Sequence, residues 1–562
     1  MTRSSIAAVF MGIISFAGST YAQPVIGAGG IVNNYSYVLP GLPNYGIAQG
    51  SIFDIFGTGL ATTTASQGVP LKATLAGVSI NVTVNGTTTQ AIPYFVTPLE
   101  IAAILPSATP VGTGTITVTV GGQTSAPAPM TVVETAFGIL TANQAGTGTA
   151  AAFDYNNSGA LVTPTAAINP GEYLIIWGSG LGAVSSDETQ YQPQPDATSA
   201  PIEVSIGGIN AQVTYHGRSI YPGVDQINVI VPEGISGCAV SVVVSGTGAA
   251  TPFNSNYVTV PVAGTGRTCS DPGISPLTTS DWDTLLSLSN VNLGIIDLAK
   301  STVTTLPVTL DGITITPGGT TSSDFSGAFF EKYTAAQLAA SGFAQEASIG
   351  SCVVTTISLD SGTLPAGLIM TSPLNAGPSI NLSGPDGSLA LNLMNGFYEE
   401  AFTNPLPPII PASGGTFTFT GTGGPDIGAF TATLSAAQTA PLTWTNMSSI
   451  TSVTRANGQS VTWSGGIPNS FVYITGSSFF IGTSATDEHI STFTCVQPVS
   501  AGQFTIPAAV LESLPASGNI EGVSLGGSLG LENGLLQKFT APNLDLGLLF
   551  FGVLSELEVP YN

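Results

Sequence analysis

Charged side chains are scarce in this sequence, and basic side chains are the scarcest. Only 7% of the 562 residues are Asp, Glu, Lys or Arg, whereas ordinary soluble proteins contain roughly 25%. Eight Lys and Arg residues stand against 32 Asp and Glu residues, so the formal net charge is −24 at pH 7. Such a charge repels phosphate backbones and anionic membrane surfaces. We therefore expect no nucleic-acid partner.

Histidine is nearly absent, which restricts the chemistry open to the chain. A Ser-His-Asp triad would need His216 or His489, and no Gly-x-Ser-x-Gly pattern lies at a strand-to-helix turn. Metal-ligand spacings, phosphate-binding loops and dinucleotide-binding fingerprints are also missing. The sequence therefore predicts no catalytic residue, no metal site and no cofactor, and the protein is not expected to be an enzyme.

Long apolar runs are missing as well. The nearest candidate, Leu544–Leu554, has 11 residues and contains Asp545, whereas roughly 20 are needed to span a bilayer. The first residues instead combine Arg3, an apolar run at Ile6–Phe16 and small residues up to Ala22, which is typical of a secretory signal peptide. We therefore predict cleavage near Ala22, a secreted or cell-surface protein, and no transmembrane segment.

The four cysteines favour disulfides over a metal site. No two of them form a Cys-x-x-Cys pair, and exported proteins maintain disulfides. Four cysteines allow three pairings. We favour Cys238 with Cys269 and Cys352 with Cys495, because each bridge then stays within one compositional unit of the chain.

Glycine and proline are abundant, at 69 and 39 residues, and glycines mark an internal repeat. Gly50–Leu60 has the sequence GSIFDIFGTGL, and Gly171–Leu181 has the sequence GEYLIIWGSGL. Val82–Gly86 is likewise matched 122 residues later by Val204–Gly208. Both copies of the first segment end in Gly-Ser/Thr-Gly-Leu, where glycines permit a sharp turn. The repeat predicts two successive domains with one fold.

Short apolar segments bounded by Gly, Pro and Asn predict that this fold is a β-sandwich. No helical pattern of 10–15 residues intervenes, which argues against βαβ units. In the first repeat the predicted strands are 51–57, 71–76, 78–84, 89–96, 99–105, 114–121 and 128–133.

A family resemblance covers about residues 30–262. The Gly-Ser/Thr-Gly-Leu turn, Asp225–Pro232 and Asn256–Val260 resemble IPT/TIG-type immunoglobulin-like domains of the kind repeated in acidobacterial secreted proteins. The match is weaker in the first repeat, where Leu99-Glu-Ile-Ala replaces Asp225-Gln-Ile-Asn. The resemblance implies Ig-like sandwiches used for spacing and binding, with no catalytic residues to carry over.

Two loops of the second repeat carry alternative interpretations. Phe153–Gly159 is acidic and rich in Asn, but it lacks the full EF-hand pattern, so a hairpin turn is favoured over a calcium site. Between Gly182 and Ala200 lies a polar insertion that the first repeat lacks at that length. A solvated connection is the simpler interpretation. The alternative is recognition through Ser185–Ala200, since loops at sandwich ends often bind partners.

Residues 263–351 are predicted to be a linker and mixed segment that Cys269 ties back to the second repeat. Within it, Phe329–Phe343 is the best helix candidate of the chain, because apolar residues form one face and alanines favour the helical state. Ile295–Lys300 fits a short helix or a strand.

The strand pattern returns at Cys352. Asn457-Gly458, between VTR and QSVTW, predicts a hairpin. The segments 423–430, 444–446 and 461–466 resemble a β-rich C-terminal module recurrent in acidobacterial exported proteins, whose activity is not known. The predicted strands are 353–359, 380–382, 389–393, 416–421, 429–434, 453–455, 461–464, 472–475 and 492–496.

Aromatic and acidic side chains in this last unit supply the functional candidates. Trp444, Trp463 and Tyr473 lie within one unit; core packing is the simpler interpretation, and stacking on a sugar is the alternative.

A glycosidase would need two carboxylates about 5–10 Å apart. Glu399, Glu400 and Asp426 are available, but adjacent strand residues point to opposite faces, so the two glutamates cannot simply pair.

These patterns together predict an all-β fold: tandem Ig-like β-sandwiches and a larger β-rich C-terminal domain with a minor helix. The predicted function is that of a non-catalytic exported surface or matrix protein acting in adhesion, spacing or ligand binding, with a polysaccharide or a cell-surface protein as partner. The alternative is an exported polysaccharide-acting hydrolase with its site in the C-terminal domain. The predicted units are a signal peptide (1–22), two sandwiches (23–134 and 135–262), the linker and mixed segment with a short helix (263–351) and the C-terminal domain (352–562).

Overall fold

The computed structural model of the chain shows a protein built mainly of β-strands. The two helices with described bounds are α1 (Thr279–Ser287) and α2 (Ala508–Glu512), and no helix in the described part of the chain is long and apolar enough to cross a membrane. The described residues are 23–191, 196–197, 201–246, 253–271, 274, 276–310, 313–316, 318–334, 337, 347–358, 372–399, 409–437, 440–481, 488–517, 519–520, 523–524 and 527–562.

The first sandwich contains the described strands β1 (Val25–Asn33), β2 (Ile47–Ala48), β3 (Ile52–Thr58), β4 (Ala65–Ser66), β5 (Val78–Val84), β6 (Thr87–Val96), β7 (Glu100–Ile104), β8 (Gly112–Val120), β9 (Gln123–Thr124) and β10 (Ala128–Val133). Strands β1, β3, β7 and β6 are hydrogen-bonded in that order, and β6 continues into β5, β8 and β10. Taken as A, B, E and D facing C, F and G, these strands have the immunoglobulin arrangement.

The second sandwich contains β11 (Gly138–Ile139), β12 (Gly148–Thr149), β13 (Ala152–Asp154), β14 (Ala160–Leu161), β15 (Tyr173–Ser179), β16 (Asp196–Ala197), β17 (Ile202–Ile206), β18 (Ile209–Arg218), β19 (Asp225–Ile230), β20 (Gly237–Gly246), β21 (Phe253–Asn254) and β22 (Val258–Val262). Its order β15-β19-β18-β17-β20-β22 repeats β3-β7-β6-β5-β8-β10 of the first sandwich. The predicted repeat and the tandem Ig-like fold are therefore confirmed.

Side-chain alternation explains why these segments form strands. In β5, Val78, Ile80, Val82 and Val84 are fully buried, while the residues between them face outward. This period of two places every second side chain in the core between the two sheets. Strand β20 differs because both of its faces are covered, and Val243 packs in one cluster with residues of the C-terminal domain.

The C-terminal domain contains β23 (Asn290–Thr305), β24 (Val308–Leu310), β25 (Ile313–Thr316), β26 (Gly319–Thr334), β27 (Cys352–Ser358), β28 (Ser372–Pro373), β29 (Ser379–Gly384), β30 (Gly387–Met394), β31 (Phe397–Glu399), β32 (Thr416–Gly421), β33 (Phe430–Ser435), β34 (Thr443–Trp444), β35 (Gln459–Ser464), β36 (Phe471–Ile481), β37 (Glu488–Pro498), β38 (Gln503–Ile506), β39 (Asn519–Ile520), β40 (Val523–Ser524), β41 (Gly527–Phe539) and β42 (Leu546–Val559). Its main sheet has the order β27-β37-β36-β41-β42-β23-β26-β31-β30-β29-β32-β33.

The predicted helix at Phe329–Phe343 is wrong over its first six residues. Residues 329–334 are the end of β26, which pairs antiparallel with β23 along all 16 residues of both strands, from Asn290–Thr334 to Thr305–Gly319. Pairing of this length overrides the local helical preference of the segment. Most of the remaining predicted helix lies outside the described residues. The described helices of the domain are α1, where Thr278 and Asp281 form a capping box, and the short α2.

The prediction of a linker over residues 263–351 is also wrong in part. Strands β23 and β26 lie in the middle of the main sheet, and β23 pairs in parallel with β42, from Leu293–Leu546 to Thr305–Glu558. The C-terminal domain therefore includes residues before 352. Ile295–Lys300, for which a helix and a strand were alternatives, is strand.

The hairpin predicted at Asn457-Gly458 is a different turn. Arg455–Asn457 forms a 3₁₀ turn, Val453 makes a bridge to Tyr561, and the following β35 pairs with β34 and β38. The segments on either side of Asn457-Gly458 therefore pair with other parts of the chain and not with each other. A local turn pattern does not predict such pairing. Residues 71–76, predicted as a strand, are mostly irregular, and Leu75 makes only an isolated bridge to Val78.

All four cysteines are bridged. Cys238 is bonded to Cys269 and Cys352 to Cys495, with sequence separations of 31 and 143 residues. This is the pairing favoured by the sequence. Cys352 and Cys495 are directly opposed on β27 and β37, and β37 is the neighbour that holds β27 in the sheet. The bridge thus fixes the edge strand β27 to its neighbour β37.

Removing the longer bridge is expected to destabilise the C-terminal domain. We predict that Cys352→Ala combined with Cys495→Ala lowers the free energy of unfolding by about 3–5 kcal/mol, because the loop that the bridge closes in the unfolded chain is long. Chemical unfolding measures this loss, and non-reducing peptide mapping checks the pairing. A peptide linking Cys269 to Cys352 would contradict the assignment.

Candidate functional site

The three aromatic candidates of the C-terminal domain are buried. Trp444, Trp463 and Tyr473 are 7%, 4% and 8% exposed. The indole N–H of Trp444 donates to Asn446 Oδ1 at 2.9 Å, and that of Trp463 donates to the carbonyl of Val499 at 2.8 Å. Their rings pack against the protein's own apolar side chains, so in this conformation they offer no open face to a sugar.

The carboxylates considered for a hydrolase do not form an evident catalytic pair. Asp426 Oδ2 accepts the backbone N–H of Asn375 at 2.8 Å, which fixes a loop. Glu399 ends β31, and Glu400 lies outside the described residues. His216 is half-buried in β18, where burial lowers its pKa. Within the described ranges, no group of three or more His, Cys, Asp or Glu residues is placed to hold a metal ion.

The segment compared with a calcium loop is a hairpin turn. Strands β13 and β14 pair at Asp154 and Ala160, and Asp154 Oδ1 accepts the backbone N–H groups of Asn156 and Asn157. The other carboxylate oxygen of Asp154 lies 2.6 Å from Nη1 of Arg267, which also binds Glu172 at 2.6 Å. A cation of the chain itself therefore neutralises this acidic turn.

The insertion of the second repeat contacts the first sandwich. The Glu188 carboxylate accepts the backbone N–H of Ser107 at 3.0 Å and its hydroxyl at 2.7 Å. The backbone N–H of Val184 donates to Ser107 Oγ at 3.0 Å, and that of Leu71 donates to the carbonyl of Thr189 at 2.8 Å. The described part of the insertion is therefore a contact between domains rather than a solvated connection.

A buried ion pair lies at the same junction. Arg218 and Asp225 close the β18–β19 loop, their side chains are 2% and 0% exposed, and Nη1 lies 3.0 Å from Oδ1. Arg218 Nη2 also donates to the carbonyl of Gly50 in the first sandwich at 2.9 Å. Asp225 Oδ2 accepts the backbone N–H groups of Gly180 and Leu181 at 2.7 and 2.8 Å. One carboxylate thus organises the repeat's glycine turn, and its partner reaches across the junction.

The serine of the glycine turn belongs to the junction too. Ser179 Oγ accepts the backbone N–H of Ile52 at 2.8 Å and donates to the carbonyl of Gly223 at 2.7 Å. Asn33 Nδ2 donates to the carbonyls of Ser179 and Ala136 at 3.0 and 3.2 Å. The repeated sequence predicts this turn as part of the repeat architecture but does not predict its role between domains. The signal for it was the departure of Asp225 from the leucine at the corresponding place in the first repeat.

The junction leaves a cleft of about 410 Å³ whose walls come from both sandwiches. Its aromatic and apolar lining includes Tyr35, Tyr94 and Phe95 from the first sandwich and Leu140, Trp177 and Tyr221 from the second. A volume in this range is common for small-molecule sites, which are lined mainly by apolar and aromatic groups. The cleft is therefore a candidate binding site whose lining is rich in aromatic side chains.

Burial keeps two phenol groups of the cleft, those of Tyr35 and Tyr94, in the neutral form. Burial raises the pKa of Tyr94 to about 12 and also raises the pKa of Tyr35. The Tyr94 hydroxyl donates to the carbonyl of Pro222 at 2.8 Å, which ties the two walls together. Asn34, at the cleft edge, donates to both oxygens of Asp54 at 2.8 Å, and burial raises the pKa of Asp54 to about 7. The arrangement suits binding of an uncharged ligand.

A second cluster that the sequence did not reveal lies in the main sheet of the C-terminal domain. Asp297 on β23 and Glu532 on β41 flank β42, and a Cβ at Gly552 would lie 2.0 Å from Glu532 Oε1. Burial raises the pKa of Asp297 to about 6; burial, with repulsion from Asp297, raises that of Glu532 to about 7. Glycine at 552 thus makes room for a carboxyl that favours its protonated form.

Comparisons with known proteins do not assign the chain to a family. No family model matches the chain, and no curated protein matches it. Among solved structures, a titin Ig tandem (A164–A165) aligns at 9% identity over 39% of this chain and 91% of its own, with a TM-score of 0.12. The Yersinia pseudotuberculosis adhesin InvE aligns at 16% identity over 42% and 59%, also with a TM-score of 0.12. Surface layer protein SbsC, domains 4–9, aligns at 11% identity over 86% and 58%, again with a TM-score of 0.12. TM-scores this low support no conclusion about fold or function.

Breaking the buried ion pair is expected to weaken the second sandwich and its junction. We predict that Arg218→Ala lowers the free energy of unfolding by about 3–5 kcal/mol, because it leaves the Asp225 carboxylate buried without its cation. The exposed Lys72→Ala serves as the control. Urea unfolding of both full-length variants measures the loss in the free energy of unfolding. A loss for Arg218→Ala no larger than that for Lys72→Ala would contradict this assignment.

The carboxyl of Glu532 is expected to make stability depend on pH. Because the folded state binds this proton more tightly than the unfolded state, the free energy of unfolding should fall as the pH rises from about 4.5 to about 7. The loss from this group is of the order of 3 kcal/mol. Urea unfolding of the protein and of Glu532→Gln across this range measures the difference. A constant difference between the two would contradict the raised pKa.

Proposed function

We propose that this protein is a non-catalytic, exported surface or matrix protein that acts in adhesion, spacing or ligand binding. The observation that supports this most strongly is the junction between the two sandwiches. Glu188, Ser179 and Arg218 of the second sandwich all bind groups of the first. Fixed tandem sandwiches suit a protein that holds a binding surface at a set distance.

Further observations support export. Both bridges join buried cysteines, and disulfides persist in oxidising compartments. The signal-peptide pattern of residues 1–22 agrees with this, although those residues lie outside the described part of the chain. Membership of the IPT/TIG type, as found in acidobacterial secreted proteins, is part of the same proposal, as are the predicted bounds of the two sandwiches.

The second sandwich is also joined to the C-terminal domain. The backbone N–H groups of Ala239 and Ser241 donate to the hydroxyl oxygens of Ser348 and Ser351 at 2.9 and 3.2 Å. Tyr257 packs into the same apolar cluster as Trp463. The proposed role of the sandwiches is therefore that of a stiff stalk on a large β domain.

Export and the absence of turnover can be tested together. We expect the protein outside the producing cells, with Gln23 as its first residue, and no release of products from a panel of polysaccharides. Cell fractionation, N-terminal sequencing and a reducing-sugar assay measure these outcomes. Retention in the cytoplasm with residues 1–22 intact would contradict the proposal. So would turnover that is lost in a folded Glu399→Gln or Asp426→Asn variant, which would favour the hydrolase.

A further inference from the structure

We propose that the cleft between the two sandwiches, together with the aromatic row that leads into it, binds a chain of neutral sugars. This inference rests on the proposed binding role and names its site and ligand class. The site differs from the C-terminal aromatics, which are buried.

The aromatic row runs along the outer face of β15. Tyr173 and Trp177 are four residues apart and share one face of the strand, which spaces them by about 13 Å. Tyr155 contacts Tyr173 with ring centroids 6.4 Å apart, and Phe153 contacts Trp177 at 5.0 Å. Tyr155 and Tyr173 are 68% and 41% exposed. Such large apolar groups, gathered on one open face, indicate an interaction surface.

The row continues over the mouth of the cleft. Trp177 meets Tyr221 edge-on with centroids 5.8 Å apart, and Tyr221 meets Tyr191 at 5.9 Å. Tyr221 is in the β18–β19 loop and Tyr191 is in the insertion. Both segments contact the first sandwich. The junction therefore places these rings as well as joining the domains.

Neutral amides lie beside the rings. Gln226 and Asn228 on β19 are the cross-strand partners of Trp177 and Ile175, so their side chains share the aromatic face. Gln226 Nε2 donates to Asn228 Oδ1 at 2.8 Å, which leaves further donor and acceptor positions for hydroxyl groups. Sugars present apolar C–H faces for the rings and hydroxyls for the amides. An extended row of both kinds of group matches an oligosaccharide.

The uncharged lining of the cleft and the negative charge of the chain favour a neutral ligand. The lining of the cleft contains no charged side chain, and Arg218 nearby is buried and engaged with Asp225 and Gly50. The chain as a whole carries a formal charge of −24, which disfavours uronic acids and other anionic polymers. A neutral hexose or pentose polymer is therefore the ligand class that the site fits.

The test is calorimetric titration of the secreted protein with neutral hexasaccharides of glucose, xylose, mannose and N-acetylglucosamine. A polygalacturonate oligomer and a proline-rich peptide serve as competing classes. We expect saturable binding of at least one neutral sugar. Tyr221→Ala and Tyr191→Ala should each weaken it by about tenfold, which corresponds to losing one stacked ring. Phe397→Ala, which removes a 50% exposed ring from β31, is the matched control and should change affinity by less than about twofold.

Each outcome decides the proposal. No binding of any neutral sugar, equal effects of Tyr221→Ala and Phe397→Ala, or tighter binding of the peptide or the anionic oligomer would overturn it. Melting temperatures of the variants, expected to match that of the parent protein, exclude unfolding as the cause of lost binding. Failure of the sugar site leaves the proposed spacer role intact if the protein is still exported and inactive as an enzyme. Turnover of a bound sugar would instead overturn the proposed function.

Discussion

The buried contact between Arg218 and Asp225 is the constraint on which the arrangement of the two sandwiches depends. Burying two charges is costly unless each finds partners. Asp225 gains the backbone amides of the glycine turn, and Arg218 gains the carbonyl of Gly50 across the junction. The hydrogen bonds of Asp225 Oδ2 and Arg218 Nη2 therefore form only when both the turn and the neighbouring sandwich are in place. Folding of the second sandwich and its docking on the first are coupled through this pair.

The same contact is a structural difference between the two repeats. In the first repeat Leu99 stands where the second has Asp225, and it is 60% exposed, because no domain docks on that end in the described structure. Thr97 and Glu100 close a tight turn there. The second repeat instead has a longer loop that carries Tyr221 to the cleft. A repeat that is regular in its strands thus differs at one end, where the contact between domains is made.

Sequence patterns predicted what depends on local periodicity. The alternation of Val78–Val84 and the matching turns at Leu60 and Leu181 specified strands and repeat order, and the disulfide partners followed from composition. The pairing of strands that are distant in sequence cannot be predicted from local periodicity. Residues 329–334 favour a helix locally but form a strand, because β23 offers a partner along its whole length. The cleft could not be predicted either, since its walls come from separate segments spread between Asn34 and Val224.

The most direct test of the account is a distance measurement across the junction. Because every cysteine of the chain is bridged, spin labels can be placed at Thr87→Cys in the first sandwich and Asn210→Cys in the second, both exposed. We expect pulsed electron resonance to give one narrow distance distribution in the parent background and a broader one when Arg218→Ala is added. A broad distribution in the parent background would contradict the claim that the two sandwiches form one stiff unit.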